Sequence, residues 1–226
     1  MSPPPDPIVG WYLVLIGIAS GAVFVACAGY LTASPPWIRW MLLGSAVLVL
    51  ARDVAMAVSA ISIDPPGWLL QRCWFASSIG LTFPAVVAVD HLVRHPAMTP
   101  KKLLRLYAPF LAAYLLVLLM APMELRPDPL VGFRPVLVGW GRLALSITQT
   151  AFVLGLIWIA IQLVRKLPSS PIRAALLALV AAYAYLGIDG VILAAGHWYF
   201  RPFLFSEIFA LLALWWAFET ARRHTI

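Results

Sequence analysis

Six ionisable residues stand where ionisable residues are costly. Arg52, Asp53, Arg72, Arg142, Asp189 and Glu207 all fall inside long apolar stretches of the chain. On insertion scales each such charge costs on the order of 2.5–3.5 kcal/mol at the centre of a membrane helix. Three are cations and three are anions, so a common layer would be charge-balanced. Polar neighbours at helical spacing extend that layer. Arg142, Ser146 and Gln149 share one face, as do Gln71, Ser78 and Thr82, and Tyr185 lies one turn before Asp189. The candidate set is therefore Arg52, Asp53, Arg72, Arg142, Gln149, Asp189 and Glu207. Two kinds of chemistry fit it: a pocket for a polar ligand, ion or lipid headgroup, or ion pairs that lock helices together. Both readings stand at this point.

Other signals carry less. His91 and His95 have i, i+4 spacing beside Asp90, which suits a metal on a helix face. No further histidine falls on that side except His224, so a solvated helix end is expected and no metal site. His197, next to Trp198, reads as an interface residue. Cys27 and Cys73 lack CxxC spacing, which excludes a cysteine-rich zinc site and argues against a structural disulfide. Lys101, Lys102 and Lys166 are the lysines, and none lies in the last apolar stretch, which argues against a retinal Schiff base. No nucleophile–base–acid set, GxSxG, HExxH or phosphate loop occurs, so no enzymatic activity is expected. The sequence identifies no cofactor.

The elements that must position these residues are membrane helices. With 63% hydrophobic and 11% charged residues and a mean hydropathy of +0.93, the chain holds more apolar surface than a water-soluble core could hide. At roughly 20 residues per span, 226 residues hold seven spans and short connectors, leaving no room for a soluble catalytic domain. The expected fold is an all-α seven-helix bundle forming one domain, 1–226. Its spans lie at about 8–32, 37–62, 67–92, 103–122, 136–164, 171–195 and 201–221. Prolines punctuate the gaps at Pro35-Pro36, Pro65-Pro66 and Pro171, where a fixed φ suits helix starts. No basic residue precedes the first apolar run, so that run is expected to stay as a helix rather than be cleaved. Gly17 and Gly21 have the GxxxG spacing that lets helices approach closely, although ordinary glycine content explains it as well.

Basic residues set the orientation. Arg39, Arg94, Lys101, Lys102, Arg105, Arg165, Lys166, Arg173, Arg222 and Arg223 fall in alternate connectors, ten of the sixteen present. The opposite loops carry Arg126, Arg134 and Arg201 beside Asp6, Asp64, Glu124 and Asp128. Positive residues stay on the cytoplasmic side, so the N-terminus is expected outside and the C-terminus inside. The net charge of +7 thus reflects membrane orientation and not nucleic-acid binding. In this frame all six buried charges lie between the bilayer middle and its outer surface. Trp11, Trp37, Trp40, Trp68, Trp198, Trp215 and Trp216 lie near span ends, where indole favours the headgroup zone.

From the third span onward the chain resembles the N-terminal seven-helix sensor region of bacterial histidine kinases and related signalling proteins. The residues that carry the resemblance are Ser77-Ser78-Ile79-Gly80-Leu81-Thr82-Phe83-Pro84, Val89-Asp90-His91-Leu92, and Thr99-Pro100-Lys101-Lys102. Arg165-Lys166 and the exit from Glu219 to Arg223 fit the same layout. The resemblance covers about two thirds of the chain and implies sensing of an extracellular or membrane signal. The sequence ends at Ile226, where that family continues into an output domain, so output is expected through another protein.

The expected function is a non-enzymatic sensor or ligand-binding module in the bacterial cytoplasmic (inner) membrane, acting through a membrane or cytoplasmic protein partner. Lipid surrounds it, and a small molecule or lipid in the outer half of the bundle is the expected ligand. An accessory subunit of a larger inner-membrane complex is the alternative, and a transporter or intramembrane enzyme the third.

Overall fold

Proline opens three of the helices. In the computed structural model α1 (Pro7–Tyr30), α2 (Pro36–Ile61) and α5 (Pro100–Met120) each begin on one, and the Thr99 hydroxyl caps α5 by accepting from Lys102 N–H at 3.4 Å. The described residues are 7–62, 64, 66–94, 98–128, 132–167, 170–194 and 204–224. The remaining helices are α3 (Trp68–Cys73), α4 (Ser77–Val93), α6 (Trp140–Val164), α7 (Ser170–Ala194) and α8 (Phe205–Arg223). Together they form a bundle of long apolar helices consistent with a multi-span membrane protein. Six spans among the described residues are long and apolar enough to cross a bilayer, α3 and α4 counting as one. Helix α8 is about 28 Å long, but Glu207, Glu219, Arg222 and Arg223 lower its apolar character.

Two features depart from the sequence expectation. The span expected at 67–92 is interrupted at Trp74–Ala76. There the backbone continues in i to i−3 hydrogen bonds: Phe75 to Arg72, Ala76 to Cys73 and Ser78 to Phe75, at 3.0–3.2 Å. This tighter winding keeps the backbone paired while redirecting the chain. The segment between the fourth and fifth spans is a hairpin, with β1 (Met123–Asp128) antiparallel to β2 (Gly132–Leu137) and Met123 opposite Leu137. It takes the first residues expected in the 136–164 span. Buried Leu137 packs with Val117 and Ala121.

The core runs between α1, α2, α4, α7 and α8, with α8 packed against α1, α7 and α4. Close approach comes from glycines other than those the GxxxG spacing suggested. Around Gly17 and Gly21 there is open space, whereas a Cβ on Gly80 would lie 2.6 Å from Val49 Cγ2 and 2.7 Å from Ser45 O. Gly80 thus lets α4 sit directly on α2. Gly29 does the same against α8, where a Cβ would meet Phe218 Cβ at 3.1 Å. Trp11, Trp40, Phe24 and Trp158 are strongly exposed, as expected of a surface that faces lipid.

Candidate functional site: a buried ion network beside a polar cavity

Arg52 lies nine residues before the end of α2, which puts it about 14 Å inside the helix from that end. It is 1% exposed. Its guanidinium grips Glu207 of α8 with two donors: Nη1 bonds Oε2, and Nη2 donates to Oε1 at 2.8 Å. Such a fork holds a carboxylate in one orientation. Nη1 also lies 3.3 Å from Asp53 Oδ1, and Ser20 of α1 donates its hydroxyl to Asp53 Oδ2 at 2.9 Å. Three helices are therefore tied through one cation, two carboxylates and a hydroxyl, with the three charged groups removed from water.

Local structure sets up Glu207. It sits in the first turn of α8, where the partial positive charge of the helix N-terminus favours a carboxylate. Leu204, just before that turn, has left-handed backbone (φ 56°, ψ 14°), which is costly for a residue with a Cβ. It is held by burial in a cluster with Tyr12, Ile16, Met56 and Trp74. Trp74 belongs to the interruption between α3 and α4, so the break and the start of α8 meet beside the network.

Glu207 also borders a narrow cavity of about 30 Å³, walled in part by Leu81, Phe152, Val153 and Leu186. Ser78 and Thr82 of α4, Tyr114 of α5 and Gln149 of α6 line it. Gln149 donates from Nε2 to Ser78 Oγ at 3.2 Å. Thr82 Oγ1 bonds Ser78 O at 2.6 Å and shares a hydrogen with Tyr107 Oη at 2.7 Å. Gly190 keeps room for the amide, since a Cβ there would come within 3.3 Å of Gln149 Oε1.

The remaining sequence candidates are placed apart from this centre. Arg72 turns to the end of α5, donating from Nη1 to Leu118 O at 3.0 Å and Ala121 O at 2.8 Å, with its guanidinium 5.4 Å from the Trp68 ring centroid. It serves carbonyls that the end of α5 leaves unpaired, a role for which an arginine at a helix terminus is suited. Arg142 is exposed in the first turn of α6 and makes no ion pair among the described residues. Asp189 is buried on α7, again without an ion pair among those residues. The single layer of three cations and three anions thus resolves into one network of Arg52, Asp53 and Glu207, with Arg72, Arg142 and Asp189 elsewhere. Gln71 leaves the Ser78–Thr82 face because of the break, and donates to Pro66 O at 2.8 Å.

Two participants escaped the sequence reading. Ser20 is the one hydroxyl residue between Tyr12 and Tyr30, and Tyr114 lies two turns beyond Tyr107 in an apolar run, so neither falls on a polar stripe. Hydrogen-bonding side chains facing inward at the level of Arg52 are the only clue, and level is invisible without packing.

At the opposite end of α8, Thr32, Ser34, Asp90, His91, Arg94, Phe218 and Arg222 line a cleft of about 460 Å³. His91 is a tie between elements more than a solvated end. Its Nδ1 lies 2.9 Å from Val87 O, its Nε2 accepts from Ser34 N–H at 3.4 Å, and its ring meets Phe218 edge-on. His95 and His197 lie outside the described residues. No group of three metal-ligating side chains occurs among the described residues. No family model matches the chain, and no curated protein matches it.

Proposed function

We propose that the chain is a seven-span sensor or ligand-binding module of the bacterial cytoplasmic membrane, N-terminus outside, acting without catalysis through a partner protein. The reading counts α3 and α4 as one span and α8 as the seventh. The observation that carries it is the position of α8. This helix begins in the Arg52–Glu207 network and ends, about 28 Å away, beside the cleft of Asp90, His91, Arg94 and Arg222. A continuous helix transmits a displacement at one end to the other, and a buried ion pair is the kind of contact whose making or breaking has two discrete states. Loss of the Arg52 grip at the outer level would free the first turn of α8 and move its cytoplasmic end. That end, with Glu219, Arg222 and Arg223, is the surface offered to a partner. The resemblance to the membrane sensor regions of histidine kinases agrees with this arrangement.

Paired spin labels on the cytoplasmic ends of α4 and α8, in lipid nanodiscs, test it. Glu207→Gln, which removes the charge Arg52 holds, should change the distance distribution between them. A distribution identical to wild type, in a protein that stays folded, would remove the support for a sensor. The accessory-subunit reading has its own observation: an apolar groove of about 510 Å³ between α7 and α8, walled by Tyr185, Phe209, Trp215 and Trp216. Recovery of a discrete stoichiometric complex from mild detergent would favour that reading.

A further inference from the structure

We propose that the cavity beside Glu207 is a built hydration site, occupied by one or two ordered water molecules that join the ion network to α5 and α6. A volume of about 30 Å³ leaves room for one or two water molecules. The lining supplies hydrogen bonds in the number a buried water uses. Tyr114 is 2% exposed, and its hydroxyl has no hydrogen-bond partner among the described residues. A buried phenol left without a partner loses its interaction with solvent and gains nothing in return. Ser78 Oγ accepts from Gln149, but its own hydrogen has no acceptor among the described residues. Those two hydroxyls are donors to the water. Glu207, whose carboxylate oxygens retain lone pairs beyond the Arg52 contacts, and Gln149 Oε1 are its acceptors. Two donors and two acceptors complete a four-coordinate water.

Charge chooses water over a metal cation. The carboxylate of Glu207 is already matched by Arg52 through two hydrogen bonds, and Ser77, Ser78, Thr82, Tyr114 and Gln149 are neutral. The second carboxylate, Asp53, is bonded to Arg52 and Ser20 and does not line the cavity, so a cation here would meet one carboxylate already held by two hydrogen bonds and would lie near a guanidinium.

The consequence is structural linkage. Arg52, Asp53, Glu207 and Ser20 join α1, α2 and α8, and through the water the same network reaches α4, α5 and α6. The site stands on its cavity and its unpartnered phenol, whether or not the chain is a sensor.

Radiolytic hydroxyl-radical labelling of the whole protein in nanodiscs tests it, because radicals form on a bound water and modify the side chain next to it. Tyr30 is the internal control: it is 1% exposed, its hydroxyl also lacks a partner among the described residues, and it lies outside this cavity. Tyr114 should be modified several-fold faster than Tyr30 despite equal burial, and Gln149→Leu, which puts an apolar side chain against the cavity, should bring the rate down to that of Tyr30. Equal rates in the wild-type protein would overturn the proposal, and so would a fast Tyr114 rate unchanged in Gln149→Leu. Thermal midpoints give a second reading. The shifts from Ser78→Ala and Tyr114→Phe should be non-additive in the double variant, since both side chains hold the same water, and strict additivity would count against it.

Discussion

Replacement of Arg52 by methionine keeps an unbranched stem and deletes the guanidinium. Three contacts go: two to Glu207 and one to Asp53. Two carboxylates then remain, 4% and 2% exposed, without their cation. In a water-soluble protein, breaking a buried pair from one side costs about 3–5 kcal/mol, most of it the penalty of the stranded charge. A membrane lowers that figure, because the separated helices must also satisfy their polar groups in lipid, and measured contacts between spans average about 0.6 kcal/mol and reach about 1.7 kcal/mol each. Two strong contacts to Glu207 and a weaker one to Asp53 therefore give about 2–4 kcal/mol. At roughly 2–4 °C per kcal/mol for a chain of this size, the midpoint should fall by about 5–15 °C. The protein carries its own reporters. Cys27 and Cys73 are partly buried free thiols on α1 and α3, so a thiol-reactive dye that fluoresces on coupling follows unfolding in mild detergent. The partner substitution sharpens the reasoning: Arg52→Met with Glu207→Gln removes both members, and should recover more than half of the loss. A single variant that unfolds at the wild-type temperature, or a double variant as damaged as the sum of both singles, would refute the claim that Arg52 and Glu207 act as one unit.

Other outcomes follow from the packing. Gly80→Ala places a methyl 2.6 Å from Val49 Cγ2 and 2.7 Å from Ser45 O, and should cost about 1–3 kcal/mol by pushing α4 off α2, measured by the same dye. Gly17→Ala and Gly21→Ala meet open space and should leave the midpoint unchanged. Arg72→Leu removes the donor shared by Leu118 O and Ala121 O, and a loss of about 1.5–3 kcal/mol is expected for hydrogen bonds from a charged group, with faster amide exchange at the end of α5. Single cysteines at Ser2 and Thr225, in an otherwise cysteine-free background, should react with an impermeant reagent from opposite sides of the membrane. Labelling from the same side would refute the odd number of spans.

Much of this protein can be read from the chain alone, and the reason is local. A run of some 20 apolar residues is helical in lipid whatever its neighbours do, because backbone groups there have only one another to bond. Hence the limits of α1, α2, α5 and α7 agree with the apolar runs to within a few residues, and prolines mark several of the starts. The cost of a buried charge is likewise a property of one residue, which is why Arg52, Asp53 and Glu207 stood out before any geometry was known. Partner choice is a property of packing. Arg52 and Glu207 are 155 positions apart, and nothing in either neighbourhood distinguished Glu207 from Asp189 as the mate. The same holds for Arg72, which found helix-end carbonyls in place of a carboxylate, and for Gly80, whose closeness to α2 no GxxxG spacing announced. The break at Trp74–Ala76 contains neither glycine nor proline, so only the tertiary structure places it, together with the first turn of α8, beside the buried charges.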